Sequence, residues 1–257
     1  MRVLVTGAAG RLGSRLIRAL GSNHDVRPSD ILPLEHARSV RLDVTDLDAA
    51  RAGVRECDAV VHMAIKDWEI CPAADALPHA AGAIHVHTIG THNMLHAAWK
   101  AGVRRFVHIS SVSAVDGVPP GTKITADTRH FSNDIYGMTK GFGEDVCRMF
   151  HDGFGVSVTV LRLGTVYFPE AGGAWIGNVY YSDPADYPSP GAEVSRVHVD
   201  DVTRAIALAL DAPDFGCAPI HVVGADSGDR WDLERARNTI GWEPRYTFSP
   251  DGLPHPI

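Results

Sequence analysis

Short apolar runs alternate with helical patterns along the first half of the chain. Clusters of β-branched and other apolar residues predict strands at Arg2–Val5, Asp25–Ser29, Val40–Leu42, Ala59–Met63, Phe106–Ile109 and Ser157–Leu161. Apolar positions with helical spacing predict helices over about Arg11–Leu20, Thr88–Ala101 and Tyr136–His151. This alternation is typical of parallel strands joined by crossover helices, so the pattern predicts an α/β fold with a doubly wound parallel sheet.

The pattern changes after Leu163. Residues 164–195 are rich in Gly, Pro, Tyr and Ser and show no clear period, which predicts loops and short elements. Regular structure is predicted to return at Val197–Val199, Asp200–Leu210 and Ile220–Val223. We therefore expect one domain over residues 1–163 and a small lobe over residues 164–257. The late strand and helix look like returns to the first sheet, so the two parts should interdigitate.

Composition and charge exclude several classes of protein. The chain has 257 residues, 45% of them hydrophobic and 21% charged, which is ordinary globular usage and excludes a disordered or fibrous chain. Its formal net charge of −7 argues against a nucleic-acid partner, and no apolar run approaches the ~20 residues that cross a membrane. Because the first predicted strand begins at Arg2, we expect no signal peptide. Four scattered cysteines form no CxxC pair, so we expect a cytoplasmic protein with reduced thiols.

A glycine-rich turn lies between the first predicted strand and the first predicted helix. Gly7, Gly10 and Gly13 have the spacing G-x-x-G-x-x-G. We expect Gly7 to permit the tight turn, Gly10 to let the backbone approach a pyrophosphate, and Gly13 to bring the helix close to the strand. The helix start at Arg11 and Leu12 would offer free N–H groups and a positive dipole end to the phosphates. The context predicts a Rossmann-type domain that binds a dinucleotide.

Asp30 follows the second predicted strand at the place where a carboxylate selects the dinucleotide. It would accept hydrogen bonds from the adenosine ribose and repel a 2′-phosphate, which favours NAD over NADP. Arg11 and Arg27 lie nearby in the sequence and could accommodate a phosphate, so NADP stays an alternative. Asp43 and Val44 follow the third predicted strand and are expected to meet the adenine edge.

A hydroxyl, a phenol and an ammonium form the candidate catalytic set. Tyr136 and Lys140 are four residues apart, which places both on one face of a helix. A nearby ammonium favours the phenolate, so we expect Lys140 to lower the pKa of Tyr136 and let it exchange a proton with a substrate hydroxyl. Ser110 and Ser111 end the strand before this helix, at the sheet edge where parallel-sheet proteins bind their ligands.

Taken together, these residues resemble the extended short-chain dehydrogenase/reductase family, also called the NAD-dependent epimerase/dehydratases. The resemblance covers most of the chain in the family's order, through the segments Thr6–Gly13, Asp30, Asp43-Val44, Val60–Ala64, Gly90–Leu95, Arg105–Ser111, Tyr136 with Lys140, Arg196–Val202 and Ile240–Pro244. The short length and the stretch from Trp231-Asp232 to Gly241-Trp242 are most similar to uronate dehydrogenases.

The resemblance implies a role for each matched residue. Tyr136 would be the acid/base, Lys140 would bind the nicotinamide ribose and tune Tyr136, and Ser111 would orient the reacting oxygen. The residues implied to line the dinucleotide are His62, Met63, Ala64, Ile109, Leu163, Gly164 and Thr165. The resemblance also implies NAD as the cofactor and a homodimer formed through the two central helices.

Three departures from the family's pattern concern the site and the reaction. Val115-Asp116-Gly117 replaces the usual Val-Tyr-Gly. His87 stands where the family usually has Asn, which alters the polar network around the site. The family's dehydratases place a carboxylate directly after the site hydroxyl, where it protonates the leaving group. Val112 and Ser113 follow Ser111 in this chain, and their lack of a carboxylate argues against a dehydratase.

The substrate is expected to be a small, sugar-like alcohol or ketone, since only a small lobe follows the sixth predicted strand. The expected substrate contacts are Lys66, Trp68, Ser111, Ser113 and Arg196. The arginine with which uronate dehydrogenases hold a carboxylate has no clear counterpart. Arg196 could hold an anionic group instead, although pairing with Asp200 or Asp201 is the favoured interpretation.

Three functions remain open from the sequence. The leading hypothesis is an NAD-dependent oxidoreductase acting on a secondary alcohol, lactol or ketone. The alternative is a sugar epimerase that retains its NAD, and a non-catalytic dinucleotide sensor is less favoured. The 14 histidines include His92 and His96 at helical spacing, but no local carboxylate completes a metal site, so we expect none.

Overall fold

A seven-stranded parallel sheet forms the centre of the computed structural model. The structure describes residues 1–66, 76–119, 121–132, 134–169, 173–176, 179–181, 194–214, 216–250 and 252–257. The strands of the sheet are β1 Arg2–Thr6, β2 Asp25–Asp30, β3 Val40–Arg41, β4 Ala59–His62, β5 Arg105–Ser111, β6 Val158–Leu163 and β11 Ile220–Val222. Their order across the sheet is β11-β6-β5-β4-β1-β2-β3. The predicted Rossmann-type sheet is confirmed.

Helices cover both faces of this sheet because each strand buries side chains on both sides. They are α1 Arg11–Leu20, α2 Leu47–Gly53, α3 Ala76–Ile84, α4 Gly90–Ala101, α5 Ile135–Phe154, α6 Val199–Asp211 and α7 Glu234–Ile240. On one face, α1 and α6 share a core with alternate residues of β1 and β4. On the other face, α2, α4 and α5 pack on the intervening residues. Among the described residues, no helix is both long and apolar enough to span a membrane.

The last third of the chain contributes to the central sheet and to a second one. The second sheet has the order β10-β7-β8-β9, with β7 Thr165–Phe168, β8 Gly173–Ile176, β9 Val179–Tyr181 and β10 Arg196–His198. β11 returns to the first sheet and pairs in parallel with β6. The hairpin of β12 Tyr246–Phe248 and β13 Pro254–Pro256 stands apart as a two-stranded sheet. The domain boundary after residue 163 stays a prediction.

The structure contains three helices and one π-helical turn that the sequence pattern does not predict. The short helices α2 and α7 were not expected, because seven residues give too few periods to recognise. α3 lies in a stretch whose small apolar residues carry little periodicity. One turn of π-helix, His85–Ile89, joins α3 to α4, so the helix expected from Thr88 begins earlier in the chain.

Candidate functional site

The glycine turn forms a cradle for a ligand, and Gly7 and Gly13 in this turn have no room for a side chain. Gly7 has a φ of +72°, and a Cβ added to it would lie 2.9 Å from the carbonyl oxygen of Met63. A Cβ on Gly13 would lie 2.4 Å from the carbonyl oxygen of Gly7. Gly10 caps α1 without any side-chain hydrogen bond, so the first-turn N–H groups face outward for an anion. These features fit the pyrophosphate of a dinucleotide.

Asp30 ties the end of β2 to the glycine turn. Its Oδ2 accepts a hydrogen bond from the Ala9 N–H at 3.0 Å, and its Oδ1 accepts one from the Leu32 N–H at 3.0 Å. A carboxylate held in this place fits the ribose of NAD and repels a 2′-phosphate. Arg27 points elsewhere, because its Nη1 donates to the carbonyl oxygens of Gly53 at 3.1 Å and Arg55 at 2.8 Å.

The other expected dinucleotide residues lie around the same edge of the sheet. Thr6 Oγ1 accepts hydrogen bonds from the N–H groups of Met63 at 3.2 Å and Ala64 at 3.4 Å. The Arg11 guanidinium lies over the Phe168 ring, 4.3 Å from its centroid. Leu12 lies in the first turn of α1, and Ile109 lies in β5 two residues before the strand ends. The remaining expected residues lie at or just beyond the ends of β3 and β6: Asp43, Val44, Leu163, Gly164 and Thr165.

Ser111, Tyr136 and Lys140 come together where β5 ends and α5 begins. Lys140 Nζ donates a hydrogen bond to the Ile109 carbonyl oxygen at 2.9 Å and lies 5.6 Å from the centroid of the Tyr136 ring. The Ser111 hydroxyl lies next to the Tyr136 phenol, close enough to affect its pKa. Asp134 caps α5 by accepting from the Gly137 N–H at 2.6 Å, which fixes the turn that carries Tyr136. The chain thus places a hydroxyl, a phenol and an ammonium in one site.

Burial decides the charge states of this site. It raises the pKa of Tyr136 to about 12, although the neighbouring Ser111 hydroxyl acts in the opposite direction. It also lowers the pKa of Lys140 to about 8, against the attraction of the Glu144 carboxylate. The sequence led us to expect a lowered Tyr136 pKa, and that expectation is wrong for the protein alone. The cost of desolvating the phenolate exceeds the effect of an ammonium directed at the Ile109 carbonyl.

The residues that we expected to contact the substrate are spread over several elements of the structure. Lys66 is exposed just beyond β4, and the Ser113 N–H donates to Ser111 Oγ at 3.2 Å. Arg196 is half-buried at the start of β10, and Trp68 lies outside the described residues. Asp201 receives Arg204 Nη2 at 2.9 Å together with the N–H groups of Arg245 and Tyr246, while Asp200 lies in the first turn of α6.

Sequence reasoning missed a buried ionic network next to the catalytic set. Glu144, one turn beyond Lys140, accepts hydrogen bonds from Arg162, Ser110 and His130. An arginine within an apolar strand and a glutamate four residues after Lys140 were the available signals. In the described part of the chain, no group of three or more His, Cys, Asp or Glu side chains is placed to hold a metal ion.

The sheet and the glycine cradle define a dinucleotide-binding α/β protein. Residues 3–224 match the model of the NAD dependent epimerase/dehydratase family. The chain therefore belongs to this family and is an NAD-dependent enzyme of the dehydrogenase and epimerase type. The resemblance drawn from the sequence and its implied cofactor are confirmed.

Relatives and solved structures agree with this assignment. The chain is 34% identical to an L-arabinose 1-dehydrogenase (NAD(P)(+)) of Haloferax volcanii, over 95% of this chain and 96% of that one. It is 27% identical to a uronate dehydrogenase of Agrobacterium fabrum, over 95% of this chain and 84% of that one. The crystal structure of a uronate dehydrogenase variant from Agrobacterium tumefaciens complexed with NAD superposes with a TM-score of 0.76, at 27% identity. That match covers 95% of this chain and 84% of the other.

Proposed function

We propose that this protein is an NAD-dependent sugar dehydrogenase that oxidises the lactol hydroxyl of a small monosaccharide or reduces the corresponding carbonyl. The proposal is carried by the convergence of Ser111, Tyr136 and Lys140 at the carboxyl end of β5, on the same edge of the parallel sheet as the glycine cradle. A dinucleotide sensor would need the cradle but no acid/base group at the end of β5. The names of the relatives support a sugar as the substrate, in neutral or uronate form.

Each proposed catalytic residue has a chemical task that follows from its surroundings. Bound NAD supplies the acceptor for the hydride that leaves the substrate carbon. Ser111 holds the substrate oxygen next to the phenol, because its hydroxyl lies beside Tyr136. Tyr136 takes the proton of that oxygen during oxidation and returns it during reduction. Lys140 stabilises the phenolate and binds the nicotinamide ribose.

The raised pKa of Tyr136 has a consequence for the direction of reaction. A phenol with a pKa of about 12 holds its proton at neutral pH and is ready to donate it to a carbonyl oxygen. Oxidation needs the phenolate, which becomes accessible as the pH rises or as positive charge enters the site. We therefore expect the rate of sugar oxidation to rise with pH through the neutral range.

The exposed Lys66 offers a cation for an acidic sugar. It lies beyond β4, and its backbone is held against His87 near Tyr136. A uronate carboxylate would gain from this charge, whereas a neutral aldose would not. We propose that Lys66 and Ser113 contact the substrate, with Trp68 and Arg196 as further contacts.

The test is a screen of pentoses, hexoses and hexuronates with NAD and NADP, followed by the absorbance of the reduced nicotinamide. Tyr136→Phe is expected to lower kcat by about 10²–10⁴ while leaving the affinity for NAD unchanged. Equal activity in this variant would contradict the role of Tyr136. Sugar interconversion without net NADH formation would instead identify an epimerase, and NAD binding without any turnover would favour the sensor.

A further inference from the structure

His87 is a buried histidine whose two ring nitrogens are both hydrogen-bonded. The Lys66 N–H donates to Nε2 at 3.0 Å, and Nδ1 lies 2.8 Å from Thr139 Oγ1. Only 2% of His87 is exposed, so water cannot replace either partner readily. The ring also stands edge-on to the Tyr136 ring, with centroids 5.8 Å apart and an interplanar angle of 88°.

The hydrogen bonds that link Lys66, His87 and Thr139 form a short network, and the chemistry of the groups fixes which atom donates in each bond. A backbone N–H can only donate, so Nε2 of His87 carries no proton and the neutral ring carries it on Nδ1. Nδ1–H then donates to Thr139 Oγ1, whose own proton goes to the Tyr136 carbonyl oxygen at 2.8 Å. Burial, together with the charge of Lys140, lowers the pKa of His87 to about 2, which agrees with a neutral ring.

The two ends of this hydrogen-bond network lie on different parts of the site. At one end, Lys66 is an exposed residue that follows β4 and is itself an expected substrate contact. At the other end, Tyr136 and Thr139 belong to the first turns of α5. The π-helical turn His85–Ile89 places His87 between them, since π-turns rotate side chains relative to an α-helix and are frequent at functional sites.

A separate hydrogen-bond network holds the residues on the dinucleotide side of the site. Thr6 Oγ1 lies 2.9 Å from His62 Nδ1 and binds the N–H groups of Met63 and Ala64. His62 Nε2 contacts Thr91 Oγ1, which donates to the His87 carbonyl oxygen rather than to its ring. We therefore expect removal of the His87 side chain to leave these contacts on the dinucleotide side in place.

We propose that His87 is a positioning residue that fixes the backbone of Lys66, a proposed substrate contact, relative to Tyr136. Its ring acts neither as an acid nor as a base, because both nitrogens are engaged and the ring does not take up a proton near neutral pH. The inference rests on the proposed sugar dehydrogenase function for its kinetic consequence. It rests on the hydrogen bonds alone for its structural part.

The structural part is tested by nitrogen NMR of protein labelled in its imidazole rings. The signal that disappears in His87→Gln identifies His87. We expect this signal to report the Nδ1–H tautomer and to stay neutral from pH 8 to about 5. An Nε2–H tautomer, or protonation in that range, would overturn the proposal. This measurement needs no turnover, so it stands even if no sugar proves to be a substrate.

The kinetic part uses variants that remove or replace single bonds. His87→Ala and Thr139→Val are each expected to raise KM for the sugar at least about tenfold, equal to about 1.4 kcal/mol, with the Kd for NAD unchanged. His87→Gln keeps an acceptor within reach of the Lys66 N–H and is expected to recover most of the sugar affinity. The control His85→Ala removes an exposed histidine two positions earlier and should behave as wild type.

The outcomes separate this inference from the function on which it rests. A wild-type enzyme that oxidises sugars, with an unchanged KM in His87→Ala, would overturn the positioning role. A shift in the pH profile of kcat/KM in His87→Gln would also overturn it, since a positioning ring does not titrate there. Absence of turnover in wild-type protein on every sugar contradicts the proposed function instead.

Discussion

Arg162 Nη2 lies 2.7 Å from Glu144 Oε2, and both side chains are almost completely buried beneath the candidate site. Arg162 Nε also donates to Oε1 at 2.9 Å, so the guanidinium and the carboxylate meet in a two-point contact. Ser110 Oγ donates to Oε1 at 2.5 Å, and His130 contacts Oε2. The pair thus joins the helix that carries Lys140 to strands β5 and β6.

Removing one charge of this pair should destabilise the protein more than removing both. Glu144→Gln leaves the Arg162 charge buried without compensation, which is expected to cost about 3–5 kcal/mol of unfolding free energy. The double variant Glu144→Met with Arg162→Met leaves no charge buried and should therefore lose less unfolding free energy than Glu144→Gln alone. Denaturant unfolding measures all of these free energies.

A surface pair on the same helix provides the control. Arg148 Nη1 lies 3.3 Å from Asp145 Oδ1, and both side chains are about half exposed. Arg148→Met is expected to cost less than about 1 kcal/mol, because solvent screens exposed pairs. Equal losses for Arg148→Met and Glu144→Gln would contradict the buried pair's role.

As the pH is lowered, the protein should begin to lose stability at a higher pH than protonation of its carboxylates alone would explain. Burial lowers the pKa of His62 to about 3, of His87 to about 2 and of His221 to about 4, all from 6.5. Below about pH 6.5 the unfolded chain takes up protons that the folded chain does not, so stability falls as the pH falls. Each histidine contributes about 1.4 kcal/mol per pH unit in this window.

Unfolding free energies measured between about pH 7 and pH 5 test this expectation. The lowered pKa of Glu144, about 2 against 4.5, adds its own loss only below about pH 4.5. His221→Gln should reduce the slope by the share of one histidine. A flat profile down to pH 5 would contradict the neutral buried histidines.

Asp30 should control the choice between NAD and NADP through its charge. Asp30→Asn keeps an acceptor for the Ala9 or Leu32 N–H but loses the negative charge that repels a 2′-phosphate. We expect the preference for NADH over NADPH to fall about tenfold, measured as the ratio of Kd values from fluorescence titration. Asp48→Asn, an exposed position on α2, should leave the ratio unchanged.

Gly13 should be intolerant of any side chain. Gly13→Ala places a Cβ 2.4 Å from the Gly7 carbonyl oxygen and 2.7 Å from the Ala8 Cα, so the turn must shift. We expect the unfolding free energy to fall by about 1–3 kcal/mol and NAD affinity to fall with it. In Gly153→Ala the new Cβ meets no atom within 4 Å, and the helical position should gain up to about 1 kcal/mol.

Much of the fold could be predicted because it depends on local patterns. The strand runs, the glycine turn and the Tyr136–Lys140 spacing are properties of neighbouring residues, and the structure contains the corresponding elements. The strand end at Ile109 was placed too early, since Ser110 and Ser111 continue the ladder opposite β6. Short helices such as α2 escaped notice because few periods fall within them.

The sequence by itself determined the class of fold, the dinucleotide cradle and the residue types available for proton transfer, since these follow from chain-local spacing and backbone conformation. Tertiary structure alone decided the charge states and the partners of those residues. The raised pKa of Tyr136, the neutral ring of His87 between Lys66 and Thr139, and the buried pair of Glu144 and Arg162 depend on desolvation and on contacts between distant segments. Spacing along the chain carries no information about either.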